Sequence, residues 1–325
     1  MLEHGGGLRQ AAEHYRIPLA QWLDLSTGIN PWGWPVPNTP PSAWLRLPEN
    51  GDGLERAAAN YYGCSSLLPV AGSQAAIQRL PQLRPSSMVG ILTPGYSEHA
   101  HAWRRAGHQL RPLAAREVAG AIDDLDVLLL CHPNNPDGWV FDAERLLQWH
   151  QRLARRGGWL IIDEAFVDAT PELSLSSYGG MEGLIILRSL GKFFGLAGAR
   201  VGFVLTEQLL LDQLQECLGP WALSGPSRWV ATQALVDREW QADTRKQLLR
   251  SAERLAQLLT RYNLTPTGGT SLFQLVESEQ AEQLHDKLAR QGILLRLFRE
   301  ASAVRFGLPK DELEWRRLEG ALGSR

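Results

Sequence analysis

A lysine in a glycine-rich loop is the clearest candidate for covalent chemistry in this chain. Lys192 lies within residues 189–202, directly after an apolar strand, with Ser189 before it and Arg200 after it. Serine and arginine side chains are good phosphate ligands, and an amine desolvated beside a second cation loses its proton more easily. An isolated lysine would be a solvated surface charge, but the neighbouring serine, arginine and glycines predict a nucleophilic amine suited to Schiff-base chemistry.

Two other polar residues follow predicted strands. Asp163 ends the apolar run 160–163, and Asn135 lies in a turn with a proline on each side, residues 131–138. Alone, Asp163 could be a magnesium ligand, a helix cap or half of an ion pair. Together with a Schiff-base lysine, a buried carboxylate has a specific use, because it can keep the ring nitrogen of pyridoxal phosphate protonated. Asn135 can donate a hydrogen bond to the phenolic oxygen of that cofactor.

Two more strand ends fit the same cofactor. Gly72, Ser73 and Gln74 join a strand to the start of a helix, where free backbone N–H groups suit a phosphate. Tyr96 follows the next strand, and its ring could stack on a pyridine. Each signal is weak alone, since one glycine proves little and a lone tyrosine is more often a half-buried core residue.

The elements that must position these residues alternate between strands and helices. Continuous apolar runs separated by helical patterns predict an α/β fold with a mostly parallel sheet covered by helices on both faces. Ligands of such sheets bind at the carboxyl ends of the strands. The predicted strands are 67–71, 89–93, 127–131, 160–163, 184–189 and 201–205, and the predicted helices are 52–62, 73–80, 97–106 and 143–156.

Three parts of the chain are expected. The prolines and glycines of residues 1–45 predict an irregular arm without helix. Residues 46–218 are expected to form a large cofactor-binding domain, and residues 219–325 a small α+β carboxyl-terminal domain. In this last part we expect one long helix over 227–262, strands at 272–276, 293–297 and 304–307, and helices at 280–291 and from 311 onward.

Composition excludes several classes of protein. The net charge of −2 offers no field for nucleic acid or an anionic membrane, and the apolar runs are too short to span a bilayer. Three dispersed cysteines exclude a disulfide framework and fit a reducing, cytoplasmic location. The start of the chain does not resemble a signal peptide. His99 and His101 could suggest a metal pair, but we expect them on different faces of a helix without a third ligand, so no metal site is predicted.

Together, these motifs and their order resemble the aspartate-aminotransferase-like superfamily of pyridoxal 5'-phosphate enzymes, fold type I. The resemblance extends from about residue 20 to residue 310. It implies that Lys192 binds the cofactor covalently, Asp163 pairs with its ring nitrogen, Asn135 holds its phenolic oxygen and Tyr96 stacks on its ring. The residues implied for the phosphate are Gly72, Ser73, Gln74, Ser189 and Arg200. A homodimer is also implied.

Two branches of this superfamily are similar in pattern, the histidinol-phosphate aminotransferases and the threonine-phosphate decarboxylases of cobalamin synthesis. The amino terminus favours the decarboxylases, since His4, Gly5 and Gly6 resemble their phosphate-binding arm and a similar turn begins at Asn30. The resemblance implies that these four residues bind the substrate. Phe166 also favours them, because the aminotransferases usually have tyrosine there. Leu47 departs from both branches, which usually place there a tyrosine that reaches the partner subunit. The arginines at positions where the family binds anionic groups of the substrate are Arg296 and Arg305.

The decarboxylase resemblance implies conversion of L-threonine O-3-phosphate to (R)-1-amino-2-propanol O-2-phosphate. Lys192 would return a proton to the substrate's Cα after CO2 has left, and Asn135 would also contact the substrate. The alternative is an aminotransferase of the histidinol-phosphate type. A catalytically silent cofactor-binding protein is a third reading, which the presence of Lys192, Asp163 and Arg200 disfavours.

Overall fold

The computed structural model describes residues 4–324, so residues 1–3 of the predicted arm and residue 325 lie outside the described part. The chain forms two compact units. The sheet unit comprises Gly33–Asn135 and Trp139–Ala242. The terminal unit comprises the described residues up to Trp32, then Pro136–Gly138 and the described residues from Asp243 onward.

Helices and strands alternate through most of the chain. The helices are α1 Leu8–Tyr15, α2 Ser42–Leu45, α3 Leu54–Tyr62, α4 Ser73–Arg79, α5 Ser97–Arg105, α6 Val118–Ala121, α7 Ala143–Ala154, α8 Gln208–Leu218, α9 Gly225–Val236, α10 Arg238–Arg261, α11 Ala281–Ala289 and α12 Glu312–Gly323. The strands are β1 Leu23–Asp24, β2 Leu67–Val70, β3 Met88–Leu92, β4 Gln109–Leu113, β5 Val127–Cys131, β6 Trp159–Asp163, β7 Leu184–Ser189, β8 Gly202–Leu205, β9 Gly268–Thr270, β10 Phe273–Glu277, β11 Ile293–Leu294, β12 Arg296–Phe298 and β13 Ala303–Gly307.

The sheet unit is built on a seven-stranded sheet in the order β2-β8-β7-β6-β5-β3-β4. Neighbouring strands from β7 to β4 pair in parallel, and β8 runs antiparallel to both of its neighbours. The prediction of a mostly parallel sheet is confirmed. Side chains of α4, α5 and α8 pack on the apolar side chains of the sheet in one buried cluster, whose members include Ile77, Trp103, Ile161, Ile185, Leu210 and Leu214.

The terminal unit has two smaller sheets. β12-β13-β10-β9 is an antiparallel sheet, and β1 pairs in parallel with β11. This combination of short strands with α11 and α12 agrees with the predicted α+β character. No helix in residues 4–324 is long and apolar enough to cross a membrane.

The prediction that the amino-terminal arm has no helix is wrong for α2, a single turn that begins directly after Pro41, and for α1. Its residues Leu8–Tyr15 contain no proline, because the prolines that suggested an irregular segment lie further along, from Pro18 onward. The helix ends at Arg16, which adopts a left-handed conformation with φ 55°. Proline content therefore excludes helix only where the prolines stand.

The predicted long helix over 227–262 is two helices, α9 and α10. The break falls at Asp237, whose side chain accepts hydrogen bonds from the backbone N–H of Trp240 at 3.1 Å and from Nε1 of Trp34 at 2.9 Å. These bonds cap the start of α10 and fix the chain direction there. Because the sequence has helical periodicity on both sides of Asp237, the pattern predicted one continuous helix.

The strand predictions also differ from the structure, which divides one predicted strand and contains three strands, β1, β4 and β9, that have no predicted counterpart. The predicted strand 293–297 is interrupted at Leu295, because β11 pairs with β1 whereas β12 pairs with β13. β4 was not predicted, since it contains Pro112 and three of its five residues are exposed. An edge strand tolerates both features.

The units divide the chain at places other than those expected. Residues 33–45 of the expected arm and 219–242 of the expected small domain group with the sheet unit. For α9 the reason is an ion-pair cluster with α3, in which Arg228 binds Asp52 and Glu55, each at 2.7 Å.

Candidate active site

The loop after β7 holds Lys192 in a fixed surrounding. Its own backbone is closed by two 3.1 Å hydrogen bonds, from Gly195 N to Lys192 O and from Leu196 N to Leu190 O. The backbone N–H of Trp34 donates to Phe194 O at 2.8 Å. The Nζ atom of Lys192 lies 5.2 Å from the centroid of the Phe166 ring. The amine is therefore half-buried beside an apolar ring rather than on a solvated surface loop.

Asp163 ends β6 as a buried carboxylate with two hydrogen-bond donors. Its Oδ2 lies 2.8 Å from Nε2 of His99, and its Oδ1 accepts the backbone N–H of Ala165 at 3.1 Å. The sequence interpretation missed His99 as a partner of Asp163, although His99 follows Tyr96 by three residues on α5. Possible metal-donor atoms of His99, Cys131 and Asp163 lie within 4.8 Å of one another, a group that does not include His101, the other member of the histidine pair considered from the sequence.

A backbone cradle brings three of the predicted phosphate ligands together, namely Gly72, Ser73 and Arg200. Gly72 precedes α4 with φ 72°, and a Cβ added there would lie 2.6 Å from Nη2 of Arg200. A Cβ on Gly202 would lie 2.5 Å from the backbone N of Ser73. Glycine at 72 and 202 thus lets the start of α4 and the guanidinium of Arg200 come together.

Gln74 and Tyr96 lie next to each other at the edge of this cradle. The hydroxyl of Tyr96 donates to Oε1 of Gln74 at 3.4 Å, while Nε2 of Gln74 donates to Oε2 of Glu98 at 2.8 Å. Burial, followed by the nearby charge of Asp163, raises the pKa of Tyr96 well above its usual value. Tyr96 is therefore a neutral phenol at physiological pH, with its ring in edge contact with His99 at 5.8 Å.

Asn135 lies beyond the end of β5 and Ser189 is the last residue of β7, the two strands that were predicted to position them. Asn135 is partly exposed beyond β5, whereas its neighbour Asn134 is fully buried and donates from Nδ2 to Pro94 O at 2.9 Å. Asn134 thus anchors the turn that presents Asn135. The Oγ atom of Ser189 accepts the backbone N–H of Gly191 at 3.1 Å, at the start of the Lys192 loop.

These residues fit a phosphorylated pyridine aldehyde. The amine of Lys192, the carboxylate of Asp163 and the glycine cradle beside Arg200 match the three groups of such a molecule: its aldehyde, its ring nitrogen and its phosphate. The cradle is the firmest observation, because any side chain at position 72 would fill the space beside Nη2 of Arg200.

In the terminal unit, two arginines face each other across neighbouring strands. Arg296 of β12 is the register partner of Arg305 of β13. Arg305 is 4% exposed, its guanidinium lies 4.7 Å from the centroid of the Phe273 ring, and Nη2 donates to Ser26 O at 2.9 Å. Burial and the adjacent Arg296 lower the pKa of Arg305. Both effects disfavour the charged guanidinium. The negative charge of an anion bound there would stabilise it and so offset both effects.

Ser26 joins the amino-terminal arm to this arginine and was missed from the sequence. Its Oγ accepts the backbone N–H of Gly6 at 2.7 Å, while its carbonyl oxygen accepts the bond from Arg305. A Cβ on Gly5 would lie 2.3 Å from that same oxygen, so only glycine permits the approach. The structure therefore places the Gly5–Gly6 backbone beside Arg305 and leaves His4 exposed.

Asn30 is buried, and its side chain forms a hydrogen bond within the turn in which it lies. Its Oδ1 accepts the backbone N–H of Trp32 at 2.9 Å, and Nε1 of Trp32 donates to Lys310 O at 2.8 Å. These bonds fix the turn after β1.

Comparison with known proteins agrees with this arrangement. The family model for aminotransferase class I and II matches residues 48–314. A threonine-phosphate decarboxylase of Pseudomonas aeruginosa is 56% identical over 99% of this chain and 97% of its own length. One from a Sinorhizobium species is 40% identical over 98% of this chain and 97% of its own length.

A solved structure has the same fold. The histidinol-phosphate aminotransferase of Sinorhizobium meliloti, in complex with pyridoxal-5'-phosphate, superposes with a TM-score of 0.82 at 21% identity, over 97% of this chain and 93% of that chain. The expected fold type I architecture is thus confirmed. With its Lys192 loop, its buried Asp163 and a family match over most of its length, this chain belongs to the class I and II aminotransferase family.

Proposed function

We propose that this protein is a pyridoxal 5'-phosphate-dependent decarboxylase that converts L-threonine O-3-phosphate to (R)-1-amino-2-propanol O-2-phosphate. The observation that carries the reaction type is the 56% identity, over nearly the full length of both chains, to a threonine-phosphate decarboxylase. Phe166 in contact with Lys192 agrees with it, because the aminotransferases usually have a tyrosine hydroxyl at this position.

The residues of the sheet unit would bind and polarise the cofactor. Lys192 is the attachment point, Asp163 faces the ring nitrogen, Tyr96 stacks on the ring and Asn135 donates to its phenolic oxygen. The phosphate ligands would be Gly72, Ser73, Gln74, Ser189 and Arg200. When bound, the cofactor supplies an electron sink for the bond broken at the substrate's Cα. Lys192 then returns a proton to that carbon, which requires an amine close to it and shielded from bulk water, as the Phe166 contact supports.

The residues of the terminal unit would bind the anionic groups of the substrate. Arg305 and Arg296 are two adjacent cations, one of them buried, as a dianionic phosphate or a carboxylate requires. The arm residues His4, Gly5 and Gly6 would bind the substrate phosphate, and Asn30 would also contact the substrate. In a decarboxylase, these clamps must hold the Cα–carboxylate bond perpendicular to the cofactor ring, whereas an aminotransferase holds the C–H bond there.

One assay separates the two activities. Purified protein loaded with pyridoxal phosphate is incubated with L-threonine O-3-phosphate while CO2 is measured, and in parallel with histidinol phosphate and 2-oxoglutarate while glutamate is measured. We expect CO2 release and no glutamate. Glutamate without CO2 would establish the aminotransferase alternative, and the absence of both would refute the proposal.

The attachment point can be tested chemically. Borohydride reduction of the loaded protein should fix the cofactor to Lys192, and peptide mapping can discriminate it from the other lysines, Lys246, Lys287 and Lys310. Lys192→Ala should abolish both the labelling and CO2 release. Labelling at another lysine would contradict the assignment.

We also propose a cytoplasmic homodimer. Its support is an apolar surface at α2 and the following turn, where Trp44, Leu45 and Leu47 are 68%, 83% and 64% exposed. Such a surface is costly in water unless a partner covers it. Sedimentation of the wild-type protein and of Leu45→Asp should give a dimer and a monomer, respectively, and a monomeric wild type would refute the dimer.

A further inference from the structure

A buried ion cluster lies behind the two loops that carry Lys192 and Asp163. Arg188 of β7 forms ion pairs with Glu164 and Asp168, and all three side chains are at most 3% exposed. Glu164 directly follows Asp163, and Arg188 precedes Lys192 by four residues. The cluster therefore joins the ends of β6 and β7, which also share a backbone hydrogen bond from Glu164 N to Leu187 O at 2.9 Å.

The first arm of the cluster fixes the β6 loop. Oε1 of Glu164 accepts the backbone N–H of Leu175 at 2.7 Å, and its Oε2 accepts the hydroxyl of Ser174 at 2.6 Å. Nη1 of Arg188 also donates to Oγ of Ser174 at 2.9 Å. Oε2 of Glu164, Oγ of Ser174 and Nη1 of Arg188 each contact the other two, so moving one of these groups breaks two bonds.

The second arm returns to the Lys192 loop on the far side of the lysine. Oδ1 of Asp168 accepts the hydroxyl of Tyr61 at 3.0 Å. The ring of Tyr61 packs edge-on against Phe194, with 5.6 Å between centroids, and Phe194 follows Lys192 by two residues. The loop is thus held before the lysine by Arg188 and after it by Phe194.

Charge explains why arginine is needed at position 188. The cluster has two carboxylates for one guanidinium, and a guanidinium can bind both at once through its separate N–H groups. Although burial lowers the pKa of Arg188, Asp168 and Glu164 raise it above its usual value, so the residue stays charged. A lysine would keep the charge but could not span both carboxylates in the same geometry.

We propose that Arg188 is a positioning residue, which acts through Glu164 and through Asp168 and Tyr61 to hold the amine of Lys192 in register with the carboxylate of Asp163. This inference rests on the proposed cofactor chemistry at Lys192. It extends that function to a cluster whose members need not touch cofactor or substrate.

The test uses the full chain loaded with pyridoxal phosphate and two variants. Arg188→Lys removes the bridging geometry, and Tyr61→Phe removes the hydroxyl that donates to Asp168 while keeping the ring against Phe194. The matched control is Arg228→Lys, because Arg228 is also a buried arginine shared by two carboxylates, Asp52 and Glu55. Hydrogen exchange of a peptide covering residues 190–196 is measured together with kcat and KM.

We expect exchange in this peptide to become about tenfold faster in Arg188→Lys and about threefold faster in Tyr61→Phe, with kcat reduced by similar factors and KM within about twofold of wild type. Arg228→Lys should lower the melting temperature without changing exchange at 190–196. Unchanged exchange and kcat in both test variants would overturn the inference and leave the cluster a structural role only. A wild-type protein that binds no cofactor would instead refute the proposed function, and this inference with it.

Discussion

The imidazole of His99 and the carboxylate of Asp163 form a buried pair in which Nε2 lies 2.8 Å from Oδ2. His99 is 1% exposed and Asp163 is 4% exposed, so water contributes little to the solvation of that carboxylate. The histidine and the backbone N–H of Ala165 supply the hydrogen bonds that it would otherwise receive from water. His99 thus helps to keep Asp163 in place, and in the proposed function Asp163 would there meet a cationic ring nitrogen.

Replacing His99 with leucine should weaken cofactor binding. One lost hydrogen bond to a charged group is worth about 1.5–3 kcal/mol, which corresponds to roughly a 10- to 100-fold higher Kd for pyridoxal phosphate. Fluorescence titration of the apoprotein measures this Kd. His99→Asn, which keeps a donor, should lose less. His101→Leu, two residues along the same helix, is the control that should bind like wild type, and equal losses in His99→Leu and His101→Leu would contradict the role of His99.

Gly72→Ala should impair cofactor binding more than folding. The added Cβ would lie 2.6 Å from Nη2 of Arg200, at the far end of a flexible side chain, so the guanidinium can move away from the cradle. With ψ at 155°, the φ of 72° lies in a backbone region that is essentially confined to glycine, so alanine there adds about 1–3 kcal/mol of strain. We expect the Kd for pyridoxal phosphate to rise about tenfold or more.

Gly198→Ala provides the matched control for this change. Gly198 lies close to Arg200 in sequence, but nothing within 4 Å would meet its added Cβ. Its cofactor affinity should equal that of wild type. If Gly72→Ala also bound normally, the cradle would not be the phosphate site.

The proximity of many candidate cofactor residues could be predicted from sequence because these residues lie at or just beyond the ends of apolar strands. Asp163, Asn135, Tyr96, Gly72 and Ser189 all stand at such ends, and the parallel-sheet rule places these ends at one edge. Their proximity therefore needed no knowledge of side-chain packing.

Other contacts depend on packing that no local pattern encodes. His99 lies within α5, and only the rotation of that helix turns it toward Asp163. Ser26 meets Arg305 across 279 positions of sequence, so its role depends on the placement of the arm. The same holds for the α9–α10 break, where Asp237 is fixed by Trp34 from a distant segment.

His132 should make the protein sensitive to acid. It is completely buried next to Cys131, and burial lowers its pKa from 6.5 to about 4. The unfolded chain therefore takes up a proton at higher pH than the folded chain does. The contribution of neutral His132 to the free energy of unfolding is complete above pH 6.5 and is lost as the pH falls toward 4, by about 3 kcal/mol over the whole window.

Urea unfolding at a series of pH values tests this expectation. The free energy of unfolding should fall between pH 6.5 and pH 4 in the wild-type protein, and part of that slope should vanish in His132→Phe, which has no titrating group there. Identical slopes in the two proteins would mean that other groups cause the loss in acid.

Arg305 should contribute to function at the expense of stability. Its guanidinium is buried, beside the second cation Arg296, and both conditions disfavour its charge. Methionine has a similar length and no charge, so Arg305→Met should raise the free energy of unfolding of the protein without substrate by about 1–3 kcal/mol, less what the lost bond to Ser26 O contributed. The same change should lower kcat/KM for L-threonine O-3-phosphate by a factor of about 100 or more, because a buried charged hydrogen-bond donor to the anion is gone.

Arg296→Met, at a partly exposed position, should stabilise the protein less. Thermal unfolding with and without L-threonine O-3-phosphate checks both effects, since the wild type should gain stability from the ligand and Arg305→Met should not. A variant that is less stable than wild type, and still stabilised by the ligand, would show that Arg305 holds the fold rather than the substrate.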